Sequence, residues 1–196
     1  MSILALTSDT LVGTAASGQI EYNGQFFGTD SNASRAQLQR ITQGTSVAST
    51  SGTSIDFTGL PAWVKKITVM FVGTSLSGSS SILVQLGTGS TSYTATGYVG
   101  GGARFGASSV ASATFTTGFA LNNATAASLI SGNVTITNVT GNTWSASGMC
   151  GETSGEFMCM TGGSIALAAA LTAVRITTVN GTDTFDAGTV NIIYEG

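Results

Sequence analysis

Histidine is absent from the 196 residues. That removes the Ser-His-Asp triad, every other His-dependent acid–base pair and the commonest metal ligand. Charge is scarce too: 8% of residues are Asp, Glu, Lys or Arg, against about 25% in an ordinary soluble domain. Only six are basic (Arg35, Arg40, Lys65, Lys66, Arg104 and Arg175), and they form no stripe. Nucleic-acid binding is therefore not expected, because phosphate contacts dominate that affinity. There is one proline, Pro61, and there are two cysteines, Cys150 and Cys159, with no C-x-x-C spacing, which argues against zinc. No apolar run approaches the ~18 residues of a membrane span. The start MSILALTSDTLVG lacks the basic and apolar regions of a signal peptide, so no export route is visible and no membrane insertion is expected.

Gly, Ser, Thr, Ala and Asn replace the missing charge, while 42% of residues are hydrophobic. A chain of that kind is not disordered; it suits strands and tight turns. Few charges also means few devices against edge-to-edge strand association, which favours life inside a fixed assembly.

The first 18 residues or so read as an extended or weakly ordered arm. Residues 18–28 follow, GQIEYNGQFFG, two short alternating segments around Asn23-Gly24, a strong hairpin signal. Its apolar side chains are Ile20, Tyr22, Phe26 and Phe27. An isolated hairpin is marginal in water, so these must be buried against the main domain or against copies of the chain. Residues 34–41, SRAQLQRI, read as a short helix-like or extended linker, and 43–52 as a Ser/Thr/Gly linker. The domain division is placed at residue 45: an attachment arm with hairpin over 1–45, and a β domain over 46–196.

Beyond it the pattern is β throughout. In KITVMFV (66–72), Ile67, Val69 and Phe71 share one face; SILVQL (81–86) is apolar on both faces and so central. Further strands are predicted at 54–57, 93–99, 113–115, 118–121, 133–139, 142–148, 156–160, 164–171, 174–179 and 189–194. Short strands at close spacing with Gly, Ser or Asn between them predict an all-β fold, an antiparallel β-sandwich of jelly-roll type.

Chemistry is sparse. GYVGGGARFG (97–106) lacks the third glycine of a dinucleotide loop, Phe105 standing in its place, and reads as a surface loop. Glu152 and Glu156 are the nearest paired carboxylates for glycoside chemistry. Asp183 and Asp186 lie in an Asn/Gly-rich segment and are the candidates for an oxygen-ligated calcium, with Asx-turn residues as the plainer reading. Trp144 and Tyr93 are candidates for stacking on a sugar; Trp63, after the Pro61 turn, suits a core plug. A hairpin across 151–156 would bring Cys150 and Cys159 near each other, either as a disulfide or as two buried thiols. No cofactor and no catalytic residue are expected.

Residues 53–71, TSIDFTGLPAWVKKITVMF, resemble a module of bacteriophage tail-fibre and other virion structural proteins: an Ile-Asp-Phe strand, a Gly-Leu-Pro turn, a Trp-Val-Lys step and a second strand. Residues 174–194, VRITTVNGTDTFDAGTVNIIY, resemble the last two strands of the same module. Residues 17–35, SGQIEYNGQFFGTDSNASR, are similar to short hairpins in phage-fibre shafts, which associate as trimers. The resemblance implies a non-enzymatic virion protein: a homotrimeric fibre or spike attached through its N-terminal arm to capsid, portal, tail or baseplate proteins, with a host-surface glycan as a further partner. A capsid decoration protein and a carbohydrate-binding module are the alternatives.

Overall fold

The computed structural model describes residues 19–22, 26–29, 32, 34–106, 109–122, 125–126, 128–153 and 157–196. Among them there is no helix, and sixteen strands account for the regular structure. The chain divides into two compact units, Met1–Arg40 and Ile41–Gly196.

The first unit is a three-stranded antiparallel sheet in the order β1 (Ile20–Tyr22), β2 (Phe26–Thr29), β3 (Arg35–Gln37). Tyr22 pairs with Phe26 and Ile20 with Gly28, as a hairpin requires; the turn itself, 23–25, lies outside the described residues. The 34–41 segment is extended rather than helical. It is too short to hold a helix by propensity alone, and β2 offers it a hydrogen-bonding edge, pairing Phe27 with Gln37 and Thr29 with Arg35.

In the second unit the strands are β4 (Ile41–Gln43), β5 (Val47–Ala48), β6 (Ile55–Thr58), β7 (Lys66–Leu76), β8 (Ile82–Gly87), β9 (Val99–Phe105), β10 (Val110–Thr114), β11 (Phe119–Leu121), β12 (Ile130–Thr140), β13 (Thr143–Glu152), β14 (Phe157–Ala166), β15 (Ala173–Thr178) and β16 (Phe185–Glu195). They form a β-sandwich of two antiparallel sheets. The larger has nine strands, in the order β10-β9-β14-β13-β12-β7-β16-β4 with β5 also on β16; the smaller has four, β11-β8-β15-β6. Because β4 pairs with β16, Ile193 opposite Gln43 and Glu195 opposite Ile41, the second unit begins at residue 41, ahead of the division read from composition.

One apolar core lies between the sheets. Ile67, Val69 and Phe71 of β7 enter it from the large sheet with Val134, Ile136, Trp144 and Val190; Ile82, Val84 and Leu86 of β8 enter from the small sheet with Val174 and Ile176. β8 is buried at every position, Gln85 included, as its nearly all-apolar run predicts. Burying each such side chain is worth ~1.5–3 kcal/mol, and about 3 kcal/mol or more is lost on cutting Phe71 to Ala.

The glycine-rich segment 97–106 is strand, not loop. Low β-propensity is overridden by what glycine allows on both sides of the sheet. A Cβ on Gly102 would stand 2.5 Å from the Ala120 carbonyl oxygen, so only glycine lets β11 cross this close over β9. Likewise 156–160 and 164–171 are not two strands. Thr161-Gly162-Gly163 looks like a turn but sits in mid-sheet within β14, facing Gly100, Gly101 and Gly102 of β9. The predicted strand 93–99 is mostly irregular, joined to β8 by one bridge, Tyr93 to Gly87. Its function in the fold is to deliver Tyr98 to the core, where the ring meets Phe119 edge-on at 5.0 Å and the hydroxyl accepts a 2.8 Å hydrogen bond from the Leu86 N–H.

Burial pushes the Tyr98 phenol up to about 12 from an ordinary 10.0. The folded state thus holds this proton more tightly than the unfolded chain. The associated stability should be intact below pH 10 and lost as the pH rises towards 12. Urea denaturation across that range should show the loss in the wild type and not in Tyr98→Phe, which instead starts about 1–3 kcal/mol lower because the Leu86 N–H loses its acceptor. Gly102→Val should cost about 1–3 kcal/mol by overpacking β9 against β11, read as a lower melting temperature.

Candidate interaction surface

Alternation on the three-stranded N-terminal sheet places Ile20, Tyr22 and Phe26 on one face. Leu38, whose N–H donates to the Phe26 carbonyl at 2.9 Å, continues the same face, its side chain against Gly28. Tyr22 and Phe26 are in ring contact at 4.9 Å. Phe27 is on the opposite face, half-buried, so the four side chains picked out in the sequence do not share one face. The polarity is inverted relative to an ordinary half-buried sheet. Ile20 is 67% exposed, Leu38 47% and Phe26 44%, whereas Glu21 and Thr29 on the other face are buried. Exposed large apolar side chains over a buried carboxylate are the informative departure from the usual burial rule. Leu38 escaped the sequence reading because its neighbours Gln37, Gln39 and Arg40 mask the alternation.

The two ligand-stacking candidates are engaged elsewhere. Trp144 on β13 is 4% exposed and part of the core, so no sugar reaches its ring; its indole N–H has no hydrogen-bond partner. It faces inward because Ser145 and Ser147 take the outer positions of β13. Tyr93 is half-buried with its ring on the Arg175 guanidinium, 4.0 Å away. Arg175 in turn grips Asp56 across β15 and β6 with two hydrogen bonds of 2.7 and 2.8 Å. Burial, then the Asp56 charge, push the Tyr93 phenol up, while Arg175 opposes them. The stack pins the loop after β8 over the outer face of the small sheet. Trp63 is half-buried against the core and meets Tyr194 at 5.7 Å.

Asp183 and Asp186 do not converge. Asp186 is exposed on β16. Asp183 closes a turn: its carboxylate accepts from the Ser80 N–H at 2.9 Å and the Asn180 amide at 2.7 Å, while the Asn180 side-chain oxygen accepts from the N–H groups of Thr182 and Asp183. This is an Asx turn. Among the described residues no group of three His, Cys, Asp or Glu is placed to hold a metal. Of the paired carboxylates, Glu156 lies outside the described residues; Glu152 is buried and accepts from the Ser128 hydroxyl through Oε1. Cys150 and Cys159 sit opposite each other on β13 and β14 as buried free thiols, the Cys159 Sγ 3.5 Å from the Cys150 carbonyl oxygen. The neighbouring thiol and burial push the Cys150 thiol up.

The Asn180 amide and the Ser80 N–H hold the Asp183 carboxyl below its ordinary value of 3.8. These bonds favour the carboxylate, so their support of the turn is present above that value and lost as pH falls through the depressed one. Side-chain NMR should show Asp183 titrating below the ordinary range and returning towards it in Asn180→Ala; an ordinary midpoint in the wild type would rule the turn out.

Compared with protein-family models, with curated proteins and with solved structures, the chain finds no match.

Proposed function

We propose that the chain is a non-enzymatic bacteriophage virion protein, a short homotrimeric fibre or spike held to the particle through its N-terminal unit, with the β-sandwich as the body. The observation that carries the reading is the exposed apolar face of Ile20, Tyr22, Phe26 and Leu38 on a sheet of three very short strands. Such a sheet has too little core of its own to leave its apolar face in water. Copies of the same face meeting around an axis bury it, and that is how the phage-shaft hairpins resembled by residues 17–35 associate. Capsid decoration draws on the same trimer and differs in position on the particle. The carbohydrate-module alternative is weakened, since Trp144 is inside the core and Tyr93 is stacked on Arg175.

Ile20→Asp with Phe26→Asp should weaken association by about 3 kcal/mol or more, roughly a hundredfold, because each carboxylate enters an apolar seam. Leu38→Asp should act in the same direction. Sedimentation velocity reads the mass, and circular dichroism the retained β fold. An unchanged trimer mass in the double variant contradicts the seam; a wild-type chain with no trimer contradicts the reading itself.

A further inference from the structure

The two cysteines of the chain lie close in sequence, and the β13–β14 ladder sets Cys150 directly opposite Cys159. Their row continues through Arg104 of β9 on one side, and through Gly132 of β12 to Phe71 of β7 on the other. Both side chains belong to the core and are sealed from water. The sulfurs are close enough to share a hydrogen bond. Every other member of the apolar core is aliphatic or aromatic, so this row alone brings together two groups that can react with each other.

The backbone already meets the demands of a cross-link. Directly opposed residues on antiparallel strands have Cα atoms about 4.5 or 5.5 Å apart, and a disulfide spans roughly 4.4–6.8 Å. The Cβ atoms of such a pair, about 4.5–5.5 Å apart, need to approach by about 1 Å to reach the usual disulfide spacing. The sulfur has room to turn. Gly132 faces Cys150, and a Cβ there would stand 2.9 Å from the Cys150 Sγ. The polar groups on either side are poorly satisfied. Thr161 and Glu152, one inward-facing position to each side of the pair, bury oxygens (Oγ1 and Oε2) that have no hydrogen-bond partner among the described residues. Such groups regain water when strands part, which lowers the free energy of local opening at this end of the ladder and admits a reagent to the thiols.

We propose that Cys150 and Cys159 are a redox pair, free thiols in the reduced protein and a cross-strand disulfide once the chain meets a small disulfide oxidant such as oxidised glutathione. One cysteine thiolate attacks a sulfur of the oxidant, forming a mixed disulfide and expelling a glutathione thiolate. The second cysteine thiolate attacks the protein sulfur of that mixed disulfide, forming the Cys150–Cys159 bond and expelling the other glutathione. The protein gives up two electrons, and its two thiol protons end on the two glutathiones. The bond closes the loop 151–158 and staples β13 to β14, the strand on which β9 and β10 are built. This inference is independent of the N-terminal sheet and of the virion reading.

To test it, the full-length chain is equilibrated with oxidised glutathione or with dithiothreitol, alkylated with iodoacetamide under denaturing conditions, and cleaved after glutamate. Cuts after Glu152 and Glu156 separate the two cysteines. In the oxidised sample the two fragments should stay joined within one chain, neither sulfur alkylated, until dithiothreitol is added. The oxidised protein should melt about 5–10 °C above the reduced one, the gain expected from closing a short loop in a domain of this size. Cys150→Ala should show neither joined fragments nor a melting difference between the two conditions. Two alkylated cysteines after oxidation, a chain stalled with glutathione on one sulfur, or a bond between chains each overturns the pair. Joined fragments with an unchanged melting temperature overturn the staple, as does a melting difference that persists in Cys150→Ala. Circular dichroism checks that the variant folds; where it does not, the wild-type linkage and melting shift decide alone.

Discussion

Ile67, Val69 and Phe71, the inner row of β7, are sealed from water, and β12 and β16 are hydrogen-bonded to either side of that strand. Every longer-range feature of the sandwich follows from this central trio. β12 leads by two hairpins through β13 to β14, and so to β9 and to β10, the last strand of the order on that side. β16 returns on the other flank and gathers β4 and β5, which ties the start of the second unit to its end. Bulges adjust the fit. Gly188, at φ +92°, faces the Gly73 carbonyl so closely that a side chain there would collide with it, letting β16 shift register beside β7. The small sheet is held to this frame by the core and by close crossings such as Gly102 under Ala120.

The alternation of β7 was legible because one-sided burial writes itself as a two-residue period, the run of β8 because burial on both faces erases that period, and the pairing of residues 20–22 with 26–28 because Asn23-Gly24 marks a hairpin. The glycine-rich strands were not. In β9 and β14 the reason for strand structure lies on the neighbouring chain segment, not in the residues themselves: Gly100 to Gly102 read as a loop until Thr161, Gly162 and Gly163 are set beside them. Side-chain destinations were legible only in part. Trp144 and Tyr93 are both aromatic residues in polar surroundings, yet one is inside the core and the other lies on a guanidinium donated from a strand about eighty residues away. Leu38 was invisible because a single apolar residue among polar ones carries no period.

With so few charges, this chain has little repulsion with which to stay apart from its copies. What it offers instead is an exposed apolar surface, the Ile20, Phe26 and Leu38 face of the N-terminal sheet. The polar and charged groups, by contrast, are used locally: Arg175 with Asp56 and Tyr93, Asp183 with Asn180 and Ser80. Chemistry-bearing side chains are therefore spent on holding loops in place, and it is on the apolar surface left over that the proposal of an assembly component rests.

The most direct test of the proposed virion role is an electron cryomicroscopy map of the phage particle to which the proposal assigns the chain. The account requires threefold clusters of this β-sandwich on the particle, each rooted by its N-terminal sheet in a capsid, portal, tail or baseplate protein. Particles that are complete without any density for the chain, or that carry it as isolated single copies, would contradict it.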